Sequence, residues 1–157
     1  MGTKHTWVAF TGAVLVIGVA IIFFLKTGGD TPMLPSNEDN EKIALNTTLA
    51  FAQAVNAEDL SLLRLQTTEE FKARFNQDQL EETFRGFIEQ KINLTPVEKL
   101  KPIFRNAPLI TEDGTLILNG YFPTRPSQVE FDYNYLWRNG SWKINGISLE
   151  INPVDSD

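Results

Sequence analysis

The chain contains no cysteine. That absence excludes disulfides, thiol nucleophiles, thiolate-bound zinc and iron–sulfur clusters. Histidine is nearly as scarce. His5 is the single one in 157 residues, and it precedes the longest apolar run, away from everything that reads as a folded domain. Imidazole acid–base catalysis inside that domain is therefore excluded. No glycine-rich phosphate loop is present, because Gly12, Gly18 and the pair Gly28-Gly29 stand isolated. The carboxylate pairs Glu69-Glu70 and Glu81-Glu82 have no histidine or further ligand beside them, and read as solvated helix faces rather than metal sites. Bases are in deficit too. From Asp30 onward twelve of them face twenty acids, a net charge of −8. Such a domain repels phosphate backbones, which disfavours nucleic acid as a partner. No catalytic residue, metal or cofactor is expected from this composition.

What the chain does have is one uncharged apolar run, Trp7 to Leu25, with Lys4 and Lys26 at its flanks. Its length as a helix, roughly 28 Å, comes close to a bilayer's hydrocarbon core. A secretory signal has a shorter apolar core, followed by small residues. Here the run ends in Ile21, Ile22, Phe23, Phe24 and Leu25. The run predicts an uncleaved single-pass anchor held in a lipid bilayer, with Trp7, Phe23, Phe24 and Leu25 as anchor residues. The short head favours an amino terminus in the cytosol and an extracytoplasmic domain, periplasmic in a bacterium. The expected divisions are a cytosolic head over 1–6, a span over 7–26, a flexible linker over 27–40, a folded domain over 41–152 and an acidic tail over 153–157.

Within the domain the apolar period is first helical. Leu45, Leu49, Ala52 and Val55 make one stripe between Glu41 and Val55. Asn56 to Asp59 reads as a stop and a new cap, and Leu60, Leu62, Leu63 and Leu65 follow as a short helix. Thr67-Thr68 caps another short stretch holding Phe71 and Phe75. Asn76 with Gln79 has capping-box spacing and opens a helix burying Leu80, Phe84, Phe87 and Ile88.

After Pro96 the period changes to two. A first strand around Leu100 to Thr111 is interrupted by Pro102 and Pro108, which suits a sheet edge. Asp113-Gly114 signals a turn into a strand from Thr115 to Phe122. Next, Val129, Phe131, Tyr133, Tyr135 and Trp137 alternate with polar residues. Asn139-Gly140 predicts a two-residue hairpin pairing Trp137 with Trp142 and Tyr135 with Ile144. The last strand changes parity near Gly146, which predicts a β-bulge there and a curled sheet. The expected fold class is α+β: a transmembrane helix, then a curved antiparallel sheet wrapped around about three helices.

The segments FAQAVNAEDLSLLRL, FNQDQLEETFRGFIEQ and VEFDYNYLWRNGSWKINGISLEI, in that order, resemble the nuclear transport factor 2-like superfamily, the cystatin-like cone. The step Asn56 to Asp59 and the closing Trp142-Lys143-Ile144 are similar to family features. With the apolar run added, the layout is similar to bitopic members such as type IV secretion inner-membrane assembly factors and mammalian-cell-entry-associated membrane proteins. The resemblance implies a non-catalytic accessory, scaffold or assembly subunit of an integral membrane protein complex, with a homodimer through the sheet as a further arrangement. The alternative is a tethered binder of small apolar ligands, or a ketosteroid-isomerase-like enzyme, using the cone. The candidate pocket residues are Tyr121, Phe131, Tyr133, Tyr135, Trp137 and Trp142. Asp132 alternates with Tyr133 and is expected to point out of the cone. Phe122, Pro123 and Arg125, in a rigid proline-rich loop, are the candidate interface residues.

Overall fold

The structure, a computed structural model, describes residues 32–154. Helix α1 (Asn37–Asn56) begins inside the stretch expected to be a tether, ahead of the predicted start at Glu41. Its N-terminus explains why. Ser36 is the N-cap and accepts the Asp39 amide at 3.2 Å, while Glu38 and Asp39 in the first turn meet the positive end of the helix dipole. The acids that read as linker composition are cap residues. The buried stripe is rotated from the leucines: Ala44, Thr48, Phe51 and Val55 are buried, whereas Leu45 and Leu49 are half-buried at its margin.

Helix α2 (Ser61–Arg64) is a single turn. Asp59, not Asn56, serves its start, accepting the Ser61 amide at 2.9 Å. Asn56 ends α1, and Glu58 takes a left-handed conformation with φ 52° in between. Helix α3 (Glu69–Arg74) is capped by Thr68, which accepts the Phe71 amide at 3.0 Å. Helix α4 (Gln77–Glu89) carries the capping box that the spacing predicts, with Asn76 and Gln79 exchanging bonds of 2.9 Å. A 3-10 turn, Thr95–Lys99, leads into the sheet.

The sheet has five strands in the order β1-β3-β4-β5, with β2 also on β3. Strands β1 (Ile103–Phe104) and β2 (Leu109–Ile110) are two short pieces of one interrupted edge, as Pro102 and Pro108 dictate. Strand β3 (Thr115–Phe122) pairs with β4 (Ser127–Arg138), and β4 with β5 (Ser141–Pro153). The β4–β5 hairpin turns at Asn139 and Gly140, with φ 53° and 75°. It pairs Trp137 with Trp142 and Tyr135 with Ile144. The register slips between Asn134 and Tyr135, leaving Asn145 as the extra residue, one place before Gly146. Gly120 marks a close approach. A Cβ there would lie 2.2 Å from the Ile103 carbonyl oxygen, so only glycine lets β1 lie this near to β3.

The helices cover one face of the sheet. Phe51 meets Phe84 and Phe87 edge-on at 4.8 and 5.1 Å, and the inward residues of β3, β4 and β5 complete the core. Each fully buried Leu or Phe contributes about 1.5–3 kcal/mol.

The expected fold and location are corrected at one point. Among the described residues no helix is long and apolar enough to cross a membrane. The longest, α1, carries Glu38, Asp39, Glu41 and Lys42 in its opening turns and buries only one stripe. The run from Trp7 to Leu25, with the anchor residues Trp7, Phe23, Phe24 and Leu25, lies outside the described residues, as do His5 and the last three residues. Among the described residues the structure therefore gives a mixed helix and antiparallel-sheet domain, and none of them forms the span on which the expected extracytoplasmic placement rested.

Candidate functional site

The interior between sheet and helices is built from β4 and α1. Alternation along β4 sends Phe131, Tyr133 and Tyr135 to the helix side, and the tyrosines are 0 % and 1 % exposed. Phe131 stacks on Tyr133 at 4.9 Å, and Tyr133 meets Tyr135 edge-on at 6.2 Å. Opposite them α1 presents two hydroxyls. Thr48 lies 2.7 Å from the Tyr133 hydroxyl, and Thr47 lies 2.7 Å from that of Tyr135. Thr48 also donates to the Ala44 carbonyl at 3.0 Å, so the Tyr133 hydroxyl is the donor in its pair.

Burial raises both phenols well above their ordinary value. The hydroxyl of Thr48 opposes this at Tyr133. At Tyr135 the neighbouring Tyr133 adds to the rise and Thr47 opposes it. A phenol held that high keeps its proton at neutral pH and is no general base. Asp132 is exposed on the other face and Asp113 lies in the β2–β3 turn. Among the described residues no His, Asp and Glu group is gathered where it could hold a metal. The interior is a packed core in which each tyrosine hydroxyl has a threonine partner, while the buried Asn40 Oδ1 of α1 has none among the described residues.

The other predicted pocket residues separate. Tyr121 lies on the outer face, paired with Ile103 and Glu130, with the Arg105 guanidinium 5.5 Å from its ring centre. Strand parity decides this, since Gly120 and Phe122 on either side are buried. Trp137 and Trp142 pack on each other at 5.2 Å beside the Asn139–Gly140 turn, half-buried at the rim. Of the interface candidates, Phe122 is wholly buried against Phe131 at 5.4 Å. It is core, not an anchor for a partner. Pro123 and Arg125 are exposed in the loop between β3 and β4, and the Arg125–Pro126 peptide is cis.

Sequence reasoning missed Thr47 and Thr48. Their signal was available: two adjacent hydroxyls on the stripe shared by Ala44 and Phe51, matching two tyrosines spaced two apart in a strand. It also missed the outer face, where Ile103, Leu109, Ile117, Tyr121 and Leu136 come together from four strands. A shallow groove of about 490 Å³ at the start of α4 is lined by Phe75, Asn76, Asp78, Gln79, Glu82 and Thr83. Its amide side chains are engaged in the capping box.

The fold and its packed interior define a mixed helix and antiparallel-sheet domain, with helices on one face of the sheet and, among the described residues, none on the other. Comparison of the chain with family models, with curated proteins and with solved structures returned no match.

Proposed function

We propose that this chain is a non-catalytic accessory or scaffold subunit, and that it works by surface contact within a protein complex. The observation that carries this reading is the pairing of Tyr133 with Thr48 and Tyr135 with Thr47, which fills the place where a ligand or a reacting group would bind. The order of elements supports a cone of the nuclear transport factor 2-like kind: a long helix, two short ones, another long helix, then a bulged antiparallel sheet. Fold alone does not set activity, so the reading rests on the interior chemistry. A thermal-shift screen of the full chain against steroids, fatty acids and other apolar small molecules tests it. No compound is expected to raise the melting temperature. A compound that does so, with the effect lost in Tyr133→Phe, would establish a ligand pocket and overturn the reading.

A further inference from the structure

We propose that the outer face of the sheet is a docking surface for a basic, amphipathic protein segment. This deepens the scaffold reading and rests on it, since it names the partner's chemistry. Two features of that face occur side by side. The first is apolar. Ile103 and Leu109 are 44 % and 45 % exposed, and they pair with Tyr121 and Ile117 in register. Side chains of directly paired residues share a face, so Ile103 with Tyr121 and Leu109 with Ile117 make two apolar pairs on that face, separated on β3 by Asn119. Leu136 on β4 lies on the same face beside the second pair, with Lys143 of β5 directly opposite it. Among the described residues no helix covers this side, because the helices pack on the buried residues of the opposite face.

The second feature is charge. Glu130 on β4 stands directly opposite Glu150 on β5, and Asp132 lies two residues along on the same face. Like charges directly across a ladder are unfavourable. One local cation answers them: Arg105 pairs with Glu130 and lies over Tyr121. Asp132 has a long contact of 3.4 Å from the Asn119 amide. Two carboxylates of the three remain without a cation partner among the described residues. Partly exposed apolar pairs with surplus carboxylates between and beside them are complementary to a segment carrying apolar side chains beside lysine or arginine. The same charge opposes a second copy laid acid patch to acid patch, and it opposes an anionic partner.

Binding of an alternating leucine–lysine peptide to the full chain tests this, read by fluorescence anisotropy at low and high salt and by amide-shift mapping. Binding is expected to centre on Ile117, Tyr121, Glu130 and Asp132. It should weaken about tenfold in the E130Q/D132N/E150Q variant, and also as salt rises. The control E58Q/E81Q/E89Q removes the same charge on the helix side and should bind as wild type. Ile117→Ser should weaken binding without removing the salt dependence. Equal binding by both charge variants, equal binding of an alternating leucine–glutamate peptide, or shifts confined to the α4 groove would each overturn the proposal. A homodimer in sedimentation that the leucine–lysine peptide cannot displace would do the same in favour of a second copy. None of these outcomes touches the filled interior, whose failure shows separately as a small molecule raising the melting temperature.

Discussion

At the scale of single residues, the two tyrosine–threonine pairs look alike but differ in what is left when one is broken. In Tyr133→Phe, Thr48 keeps its bond to the Ala44 carbonyl, so the loss is that of one net hydrogen bond, about 0.5–1.5 kcal/mol. In Tyr135→Phe, Thr47 keeps no bond in the present geometry, and a buried unsatisfied hydroxyl costs about 1–3 kcal/mol. Chemical denaturation of the two variants should rank Tyr135→Phe as the more damaging. Equal losses would refute the donor order assigned here. The same phenols set an alkaline limit. Their pKa values are raised in the folded state above the ordinary 10.0. Their contribution is therefore complete below that pH and is lost progressively as pH rises from it toward the folded-state values. Unfolding followed from neutral to strongly alkaline pH should steepen above pH 10.0, and the double variant Tyr133→Phe/Tyr135→Phe should flatten that limb.

At the scale of elements, the bulge in β5 explains how a short helix is held to a sheet edge. Asn145, pushed out of the ladder, accepts from Thr68 at 2.9 Å and from Arg74 at 3.0 Å through its side chain, and from Arg74 at 2.7 Å through its carbonyl. Next to it, the Ile144 amide donates to the Gln66 carbonyl at 3.0 Å, and the Ile144 carbonyl accepts from the Thr68 amide at 2.9 Å. These bonds cover part of an edge strand that would otherwise invite pairing. Arg74→Ala and Asn145→Ala should each destabilise the chain. Their double-mutant cycle should give a coupling of roughly 1 kcal/mol, and simple additivity would mean that the contact is incidental. At Gly120 the constraint is steric. Gly120→Ala should cost about 1–3 kcal/mol, and hydrogen exchange should speed up in β1 before it does in β4. Unchanged β1 protection would show that the edge can yield. A chain beginning at Glu41 lacks the Ser36 cap and the first turn of α1. Helix loss there should be visible by circular dichroism as a melting temperature below that of a chain beginning at Pro32.

At the scale of the whole molecule, helices close one face of the sheet and, among the described residues, none covers the other; the proposed scaffold role and docking surface follow from that difference. The amino-acid sequence by itself determined the local geometry. Asn139-Gly140 set a hairpin, Asn76 with Gln79 a capping box, the prolines a broken edge, and the alternation from Val129 to Tyr135 an inward row. Each of these depends on residues close in the chain, through backbone preference or side-chain period. Local pattern misread the start of α1, because cap acids and linker acids have the same composition, and it put Tyr121 and Phe122 on the wrong sides of the sheet. It could not show that Thr47 and Thr48 meet the tyrosines. Nor could it show that Glu130 stands opposite Glu150 beside the apolar pairs of the outer face. Those facts are contacts between residues distant in the chain. They exist only once sheet register and helix rotation are fixed together by burial of the core.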